Sequence, residues 1–218
     1  MKYRLSLPAE LLDLALWVKG FMPTSEGEAL CYWASKALAS PNSLGIEIGT
    51  YCGLSTIYLG YAASLSKSLV VTIDHHKGSI ENGPDWESHD WTLVDPVSND
   101  LDTLGRFRAA MRVTNLNKYV MAVLGDSRNA AKFIKHPVDF IFLDGGHDEK
   151  TQWSDFQSYS PLLGLGGTLA IHDVFPDPKD GGRPPFEIFQ HALESATYQE
   201  ISSEGSLRIL KKIIDDGA

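Results

Sequence analysis

The sequence predicts an α/β protein built on an open, doubly wound sheet, mostly parallel, with helices on both faces. Three observations predict it. Short apolar runs alternate with helical patterns from residue 44 to residue 193, as expected of parallel strands joined by crossover helices. Some runs, Leu69–Ile73 above all, are almost uninterrupted, as in strands buried on both faces. Each of the five main runs carries an acid at or beside its carboxyl end, which is where such sheets bind their ligands.

Composition narrows the function classes. Of 218 residues, 43% are hydrophobic and 22% charged, the balance of a soluble globular protein with a sizeable core. A net charge of −9 and the lack of a long Lys/Arg run argue against a surface that tracks nucleic-acid phosphates. The two cysteines, Cys31 and Cys52, make neither a disulfide framework nor a metal-type spacing. Met1-Lys2-Tyr3-Arg4 opens without a signal-peptide pattern, and the apolar runs are too short to span a bilayer. The expectation is a cytoplasmic protein with neither membrane nor nucleic acid among its partners.

Pro8 to Phe21 carries Leu11, Leu12, Leu14, Ala15, Trp17 and Val18 at helical spacing, with Pro8 near the first turn. Thr24-Ser25-Glu26-Gly27-Glu28 resembles a capped helix start, continued by Ala29 to Ala39 and stopped by Pro41. These two helices cover a sheet face, shape a substrate pocket or offer a homodimer surface; covering is the plainest reading. Leu44 to Ile48 is the first strand, and Leu54 to Leu65 the helix after it. Between them, Gly49 and Gly53 allow a sharp turn and close approach to a ligand, and the first amides of the helix form an electropositive end. The spacing is neither the Gly-x-Gly-x-x-Gly dinucleotide fingerprint nor a P-loop. Glu47, near the strand end, is placed to meet a cationic ligand group, and Cys52 reads as a small filler.

Leu69 to Ile73 is the second strand and ends on Asp74. An acid there, about twenty residues past a glycine turn, is where nucleotide-binding α/β folds hold a ribose diol; a capping or turn aspartate is the plainer alternative. His75 to Asn99 has no period and holds two prolines, two tryptophans and three histidines. A loop of this length is usually functional or disordered, and its aromatics favour order. It reads as a lid or substrate loop, in which Trp86 and Trp91 stack on an acceptor or pin the loop down. A helix over Asp100 to Thr114 precedes the third strand, Tyr119 to Leu124, which ends in Gly125-Asp126-Ser127. A short helix follows over Asn129 to Lys135. The fourth strand, Val138 to Leu143, runs into Asp144-Gly145-Gly146-His147-Asp148, with Glu149 to Tyr159 helical after it. Pro161 to Gly167 reads as a turn, and the fifth strand, Thr168 to Ile171, ends in His172-Asp173. Phe175 to Pro185 is a second irregular loop before a helix over Phe186 to Leu193. Tyr198 to Ser202 and Leu207 to Leu210 form a hairpin through Gly205, followed by a charged tail.

The strand ends also gather histidine. Five of the seven, His75, His76, His89, His147 and His172, fall in these loops. The run Ile-Glu-Ile-Gly-Thr-Tyr-Cys-Gly-Leu-Ser-Thr, Asp74, Gly-Asp-Ser at 125–127, Phe-Leu-Asp-Gly-Gly-His, Pro-Leu-Leu-x-x-Gly-Gly and His-Asp together resemble a class I S-adenosylmethionine-dependent methyltransferase, most closely the small O-methyltransferase-like branch called methyltransferase family 24. The resemblance covers about residues 43 to 212. It implies a Rossmann-like sheet of seven strands with the last antiparallel, in a single domain over 1–218 whose residues 1–42 form a helical cap. It also implies S-adenosylmethionine as cofactor. Glu47 and the turn from Gly49 through Thr50 to Gly53 would hold its methionine end. Asp74, with His75 beside it, would hold the ribose, Asp126 and Ser127 the adenine, and Asp144 would border the reacting end.

Methyl transfer to oxygen needs a deprotonated hydroxyl in line with the sulfonium, and a divalent ion can lower that hydroxyl's pKa and fix its position. Asp144 and Asp173 match the carboxylate positions of metal-dependent O-methyltransferases. The sequence departs from that pattern at His172, and one imidazole with two carboxylates suits Mg²⁺, Mn²⁺, Fe²⁺ or Zn²⁺. The alternative is His147 as catalytic base, since an imidazole titrates at about pH 6.5. The expected acceptor is a small hydroxylated molecule. Two other classes stay open on the residues alone: a nicotinamide-dependent oxidoreductase, and a metal-binding protein or hydrolase that keeps the His/Asp cluster without the cofactor.

Overall fold

The computed structural model describes residues 5–79, 82–83, 85–86, 89–146, 148–177 and 179–215. Its sheet has seven strands: β1 (Leu44–Ile48), β2 (Leu69–Asp74), β3 (Val120–Leu124), β4 (Val138–Leu143), β5 (Leu163–Ile171), β6 (Tyr198–Glu204) and β7 (Leu207–Lys212), in the order β3-β2-β1-β4-β5-β7-β6. β1 to β5 pair in parallel, and β7 lies antiparallel to both β5 and β6. The chain builds outward from β1 to β3, then crosses back to β4 on the other side of β1. That reversal opens a crevice beyond the carboxyl ends of β1 and β4.

Side chains alternate across each strand and divide the core in two. Phe140 and Phe142 of β4 face one layer; Ile141 and Leu143 face the other. The first layer is closed by α2 (Thr24–Ala37), α3 (Leu54–Ser66) and α4 (Leu104–Val113), with α1 (Ala9–Trp17) outside them. The second is closed by α5 (Ser127–Ala131), α6 (Glu149–Tyr159) and α7 (Arg183–Glu194). Each Ile, Leu or Phe wholly buried here stabilises by about 1.5–3 kcal/mol relative to exposure. Among the described residues, no helix is long and apolar enough to cross a membrane.

Several elements differ from expectation for local reasons. α1 ends at Trp17 rather than Phe21, because Val18 is extended and the chain then packs Gly20 against Leu54. α4 starts at Leu104 rather than Asp100, since Leu101 pairs with Val94 and the Asp102 amide is taken by the Leu93 carbonyl at 2.7 Å. α5 starts two residues early because Asp126 accepts the Asn129 amide at its N-terminus. The glycines after Pro161 continue into β5 instead of forming a free turn; the β4–β5 register shifts between Val138 and Phe140 to admit them. α7 begins at Arg183 and takes the proline pair into its first turn, where their missing amides cost nothing. α2 begins at Thr24 as expected, but Pro23 precedes it and no side chain caps it.

Candidate active site

A cleft of about 510 Å³ lies beyond the carboxyl ends of β1, β2, β4 and β5. At its floor the Gly49 amide donates to Ile73 O (3.1 Å) and the Asp144 amide to Ile48 O (2.9 Å). Gly49 has φ +86°, and a Cβ on it would collide with the Asp144 carbonyl. Only glycine lets the two strand ends approach so closely. Three other residues near strand ends, Tyr51, His76 and Asp173, hold positive φ without being glycine, strain that characteristically gathers at functional sites.

Asp74 organises the wall over β2. Its Oδ2 accepts the amides of Thr50 and Tyr51, both at 2.8 Å, and its Oδ1 accepts the His76 amide at 2.6 Å. The carboxylate is thus fixed by three donors from two loops while still facing the cleft. His75 lies beside it, its Nδ1 3.9 Å from Asp74 Oδ1. His76 turns inward instead, with Nδ1 2.8 Å from Thr103 Oγ1 and its ring on Phe107. Glu47 stands behind this wall. It is fully buried and accepts Ser55 Oγ and Thr56 Oγ1, both at 2.6 Å. Burial pushes its pKa up to about 7 against the pull of those hydroxyls. Ser55, not Glu47, borders the cleft, so Glu47 anchors the start of α3 and meets the cleft only through its neighbour.

At the other end, Asp126 caps α5 and pairs with Arg128, which holds its carboxyl below the ordinary range. Ser127 hydrogen-bonds through its hydroxyl to Asp155, whose burial raises its pKa to about 6. The Tyr159 hydroxyl donates to Ser127 O at 2.7 Å. The β3–α5 turn is therefore held from beneath by α6.

Between these ends, Asp144, His172 and Asp173 converge with one candidate ligand atom each, all within 4.8 Å of one another. His172 Nδ1 lies 3.1 Å from Asp144 Oδ1 and 3.4 Å from Asp173 Oδ1. Its Nε2 faces away, 2.6 Å from Glu26 Oε2. Burial opposes an imidazolium here, but the Asp144 charge and the hydrogen bonds to Asp144, Asp173 and Glu26 hold its pKa well above the ordinary histidine value. The separations of 3.1 and 3.4 Å are those of neighbouring ligands each about 2.1 Å from one cation. The donor set therefore fits a divalent metal, in which case the cation replaces the Nδ1 proton. His147 lies outside the described residues.

Lys19, His75, Gly78, Ser79 and Asn82 line another side of the cleft. Lys19 Nζ donates to Asp90 and Thr92, and this draws the Asp90 pKa down to about 2. Leu93 and Leu101 are buried against Cys52, so the segment is pinned at this point; Trp86 and Trp91 remain largely exposed.

The site thus includes Glu26, Asp155 and Lys19, which local sequence reasoning passed over. Glu26 had a signal: it shares the helical stripe of Leu30, Ala34 and Leu38, all buried, and an acid in an apolar stripe needs a partner.

A family model described as a methyltransferase domain, methyltransferase family 24, matches residues 46–174, more than half of the 218 residues. Solved structures align with nearly the whole chain. The O-methyltransferase from Bacillus cereus in complex with SAH is 19% identical, with a TM-score of 0.62 over 94% of this chain and 89% of that one. A SAH-bound methyltransferase from Podospora anserina is 16% identical, with a TM-score of 0.65 over 97% and 91%. The O-methyltransferase NovP is 15% identical, with a TM-score of 0.65 over 88% and 81%. At these identities the likeness is one of fold.

Proposed function

This chain belongs to methyltransferase family 24 and is an S-adenosylmethionine-dependent methyltransferase, and we propose that it methylates a hydroxyl oxygen of a small molecule with the help of a divalent cation at Asp144, His172 and Asp173. The observation that carries the reading is the meeting of two carboxylates and one imidazole nitrogen in the cleft that Asp74 and Asp126 also border. Structural relatives named as O-methyltransferases support the choice of oxygen.

The residues present suit the donor. A cleft of this volume matches a ligand of nucleoside size. Asp74, already fixed by three amides, keeps one acceptor site on Oδ1 for a ribose hydroxyl. Gly49 lines the cleft where the methionine portion would lie, and Asp126 and Ser127 line it where the adenine would lie. S-adenosylmethionine supplies a methyl group on a positively charged sulfur, which suits a rim rich in aspartate. A divalent cation, when bound, lowers the pKa of a ligated hydroxyl and holds it in place. The chain's part is positional. Asp144 and Asp173 offer oxygen, and His172 offers Nδ1. Mixed nitrogen and oxygen donors suit Mn²⁺, Fe²⁺ or Zn²⁺ as well as Mg²⁺.

The test is to incubate the protein with S-adenosylmethionine, Mn²⁺ and a panel of small phenols, catechols and sugar alcohols, following SAH release with and without a chelator. Methoxy products that vanish with chelation are expected. Methylation only at nitrogen or carbon, or turnover indifferent to chelator, would overturn the proposal.

A further inference from the structure

We propose that Glu26 is the positioning residue that holds the proton of His172 on Nε2 and so presents Nδ1 to the cation. The inference rests on the metal-assisted reading above and adds to it a residue of α2, outside the span of the family match.

Glu26 is 3% exposed, a carboxylate deep between α2, the end of β5 and the β6–β7 turn. Its two oxygens are committed differently. Oε1 accepts the Ser206 amide at 2.6 Å, and Oε2 faces His172 Nε2 at 2.6 Å, with Ser206 Oγ 3.4 Å away. A backbone amide can only donate and an ionised carboxylate can only accept. The Ser206 amide therefore secures Oε1, and Oε2 requires a hydrogen on Nε2. Nδ1 is then the ring nitrogen that can give up its proton, and it is the one directed at Asp144 and Asp173. Metal-bound imidazoles are commonly oriented in this way, by donating the far N–H to a carboxylate.

The hairpin is shaped around this carboxylate. Gly205 has φ +53°, and a Cβ on it would run into Glu26 Oε1. A buried carboxylate is costly unless its partners are in place, and here they are drawn from β5 and from the tip of the last hairpin. Helix α2 and the C-terminal hairpin thus act together on one imidazole at the candidate metal centre.

Glu26→Gln separates positioning from packing. The replacement has the same size but one acceptor end and one donor end. The Ser206 amide claims the acceptor, so the NH₂ group faces His172 Nε2 and requires a lone pair there. The proton moves to Nδ1, and the nitrogen aimed at the carboxylates can no longer bind a metal. Mn²⁺ binding, followed by electron paramagnetic resonance on purified protein, is expected to weaken by about tenfold or more in Glu26→Gln, while SAH affinity, read by calorimetry, stays the same. Equal Mn²⁺ affinity in wild type and variant would overturn the role of Glu26 and leave the metal reading standing. A wild-type protein that binds SAH but no Mn²⁺ would overturn both. Should Glu26→Gln fail to fold, nitrogen-15 spectra of His172 in the wild-type protein loaded with Zn²⁺ decide the matter. A proton on Nε2 and metal on Nδ1 is expected, and the reverse would refute the proposal.

Discussion

Gly49 and Asp144 meet so closely that the bare Cα of the one rests against the backbone carbonyl of the other. This contact sets the distance between β1 and β4 where the sheet reverses direction, and so the width of the cleft floor. Gly49→Ala would add a methyl group into a carbonyl at φ +86°. We expect destabilisation of about 3 kcal/mol or more, from backbone strain and overlap together. Urea unfolding measures it; a loss under about 1 kcal/mol would mean that the strand ends are free to separate.

Asp74 is held by backbone amides on both oxygens. Asp74→Asn replaces one acceptor by a donor, which must face at least one of those amides. The loop after β1 and the ribose site are disturbed together, and SAH affinity should fall by about tenfold to a hundredfold. Calorimetric titration reads this directly, and unchanged affinity would remove Asp74 from the cofactor site.

Glu47 gives the fold a pH dependence. Its pKa is about 7 in the folded chain, raised by burial from a reference of 4.5. The folded state therefore keeps a proton that the unfolded chain has already released, and stability falls as pH rises from about 4.5 to about 7, then levels off. The full effect is on the order of 3 kcal/mol. Glu47→Gln stays neutral throughout, so its stability should lose this slope. Unfolding midpoints measured across that range test it; parallel curves for the two proteins would show that Glu47 does not titrate there.

Lys19 ties the segment after α1 to Asp90 and Thr92. Both ends of this ion pair are partly exposed, so Lys19→Met should cost less than about 1 kcal/mol of stability. Its effect belongs at the mouth of the cleft. Once an acceptor is known, KM for it should rise while the affinity for SAH holds. A variant with wild-type KM would show that the tether does not shape acceptor binding.

How much of this was legible follows from how local each feature is. The parallel strands were readable because Leu69–Ile73 and Val138–Leu143 are apolar runs broken only by Thr72 and Asp139, and Asp74, Asp126, Asp144 and Asp173 could be placed at strand ends by simple counting. The late hairpin was marked by Gly205. Glu26 was obscured because Thr24-Ser25-Glu26 has the form of a local capping signal, whereas its partners lie 146 and 180 residues away. Asp155 was hidden mid-helix, where its contact with Ser127 depends on how α6 packs under α5. The early start of β5 was missed because Gly164, Gly166 and Gly167 have turn composition, and only the pairing of Leu163 and Thr168 on either side of them with β4 brings the stretch into the strand. Glu47 sits where the sequence placed it, but the hydroxyls of Ser55 and Thr56 take its carboxylate, and no spacing rule reveals that.

The most direct measurement of the central claim is anomalous scattering from crystals grown with SAH and Mn²⁺. The account predicts one peak in bonding contact with Asp144, Asp173 and His172 Nδ1, beside SAH whose ribose rests on Asp74. Crystals with SAH bound and no peak among those three residues would contradict it.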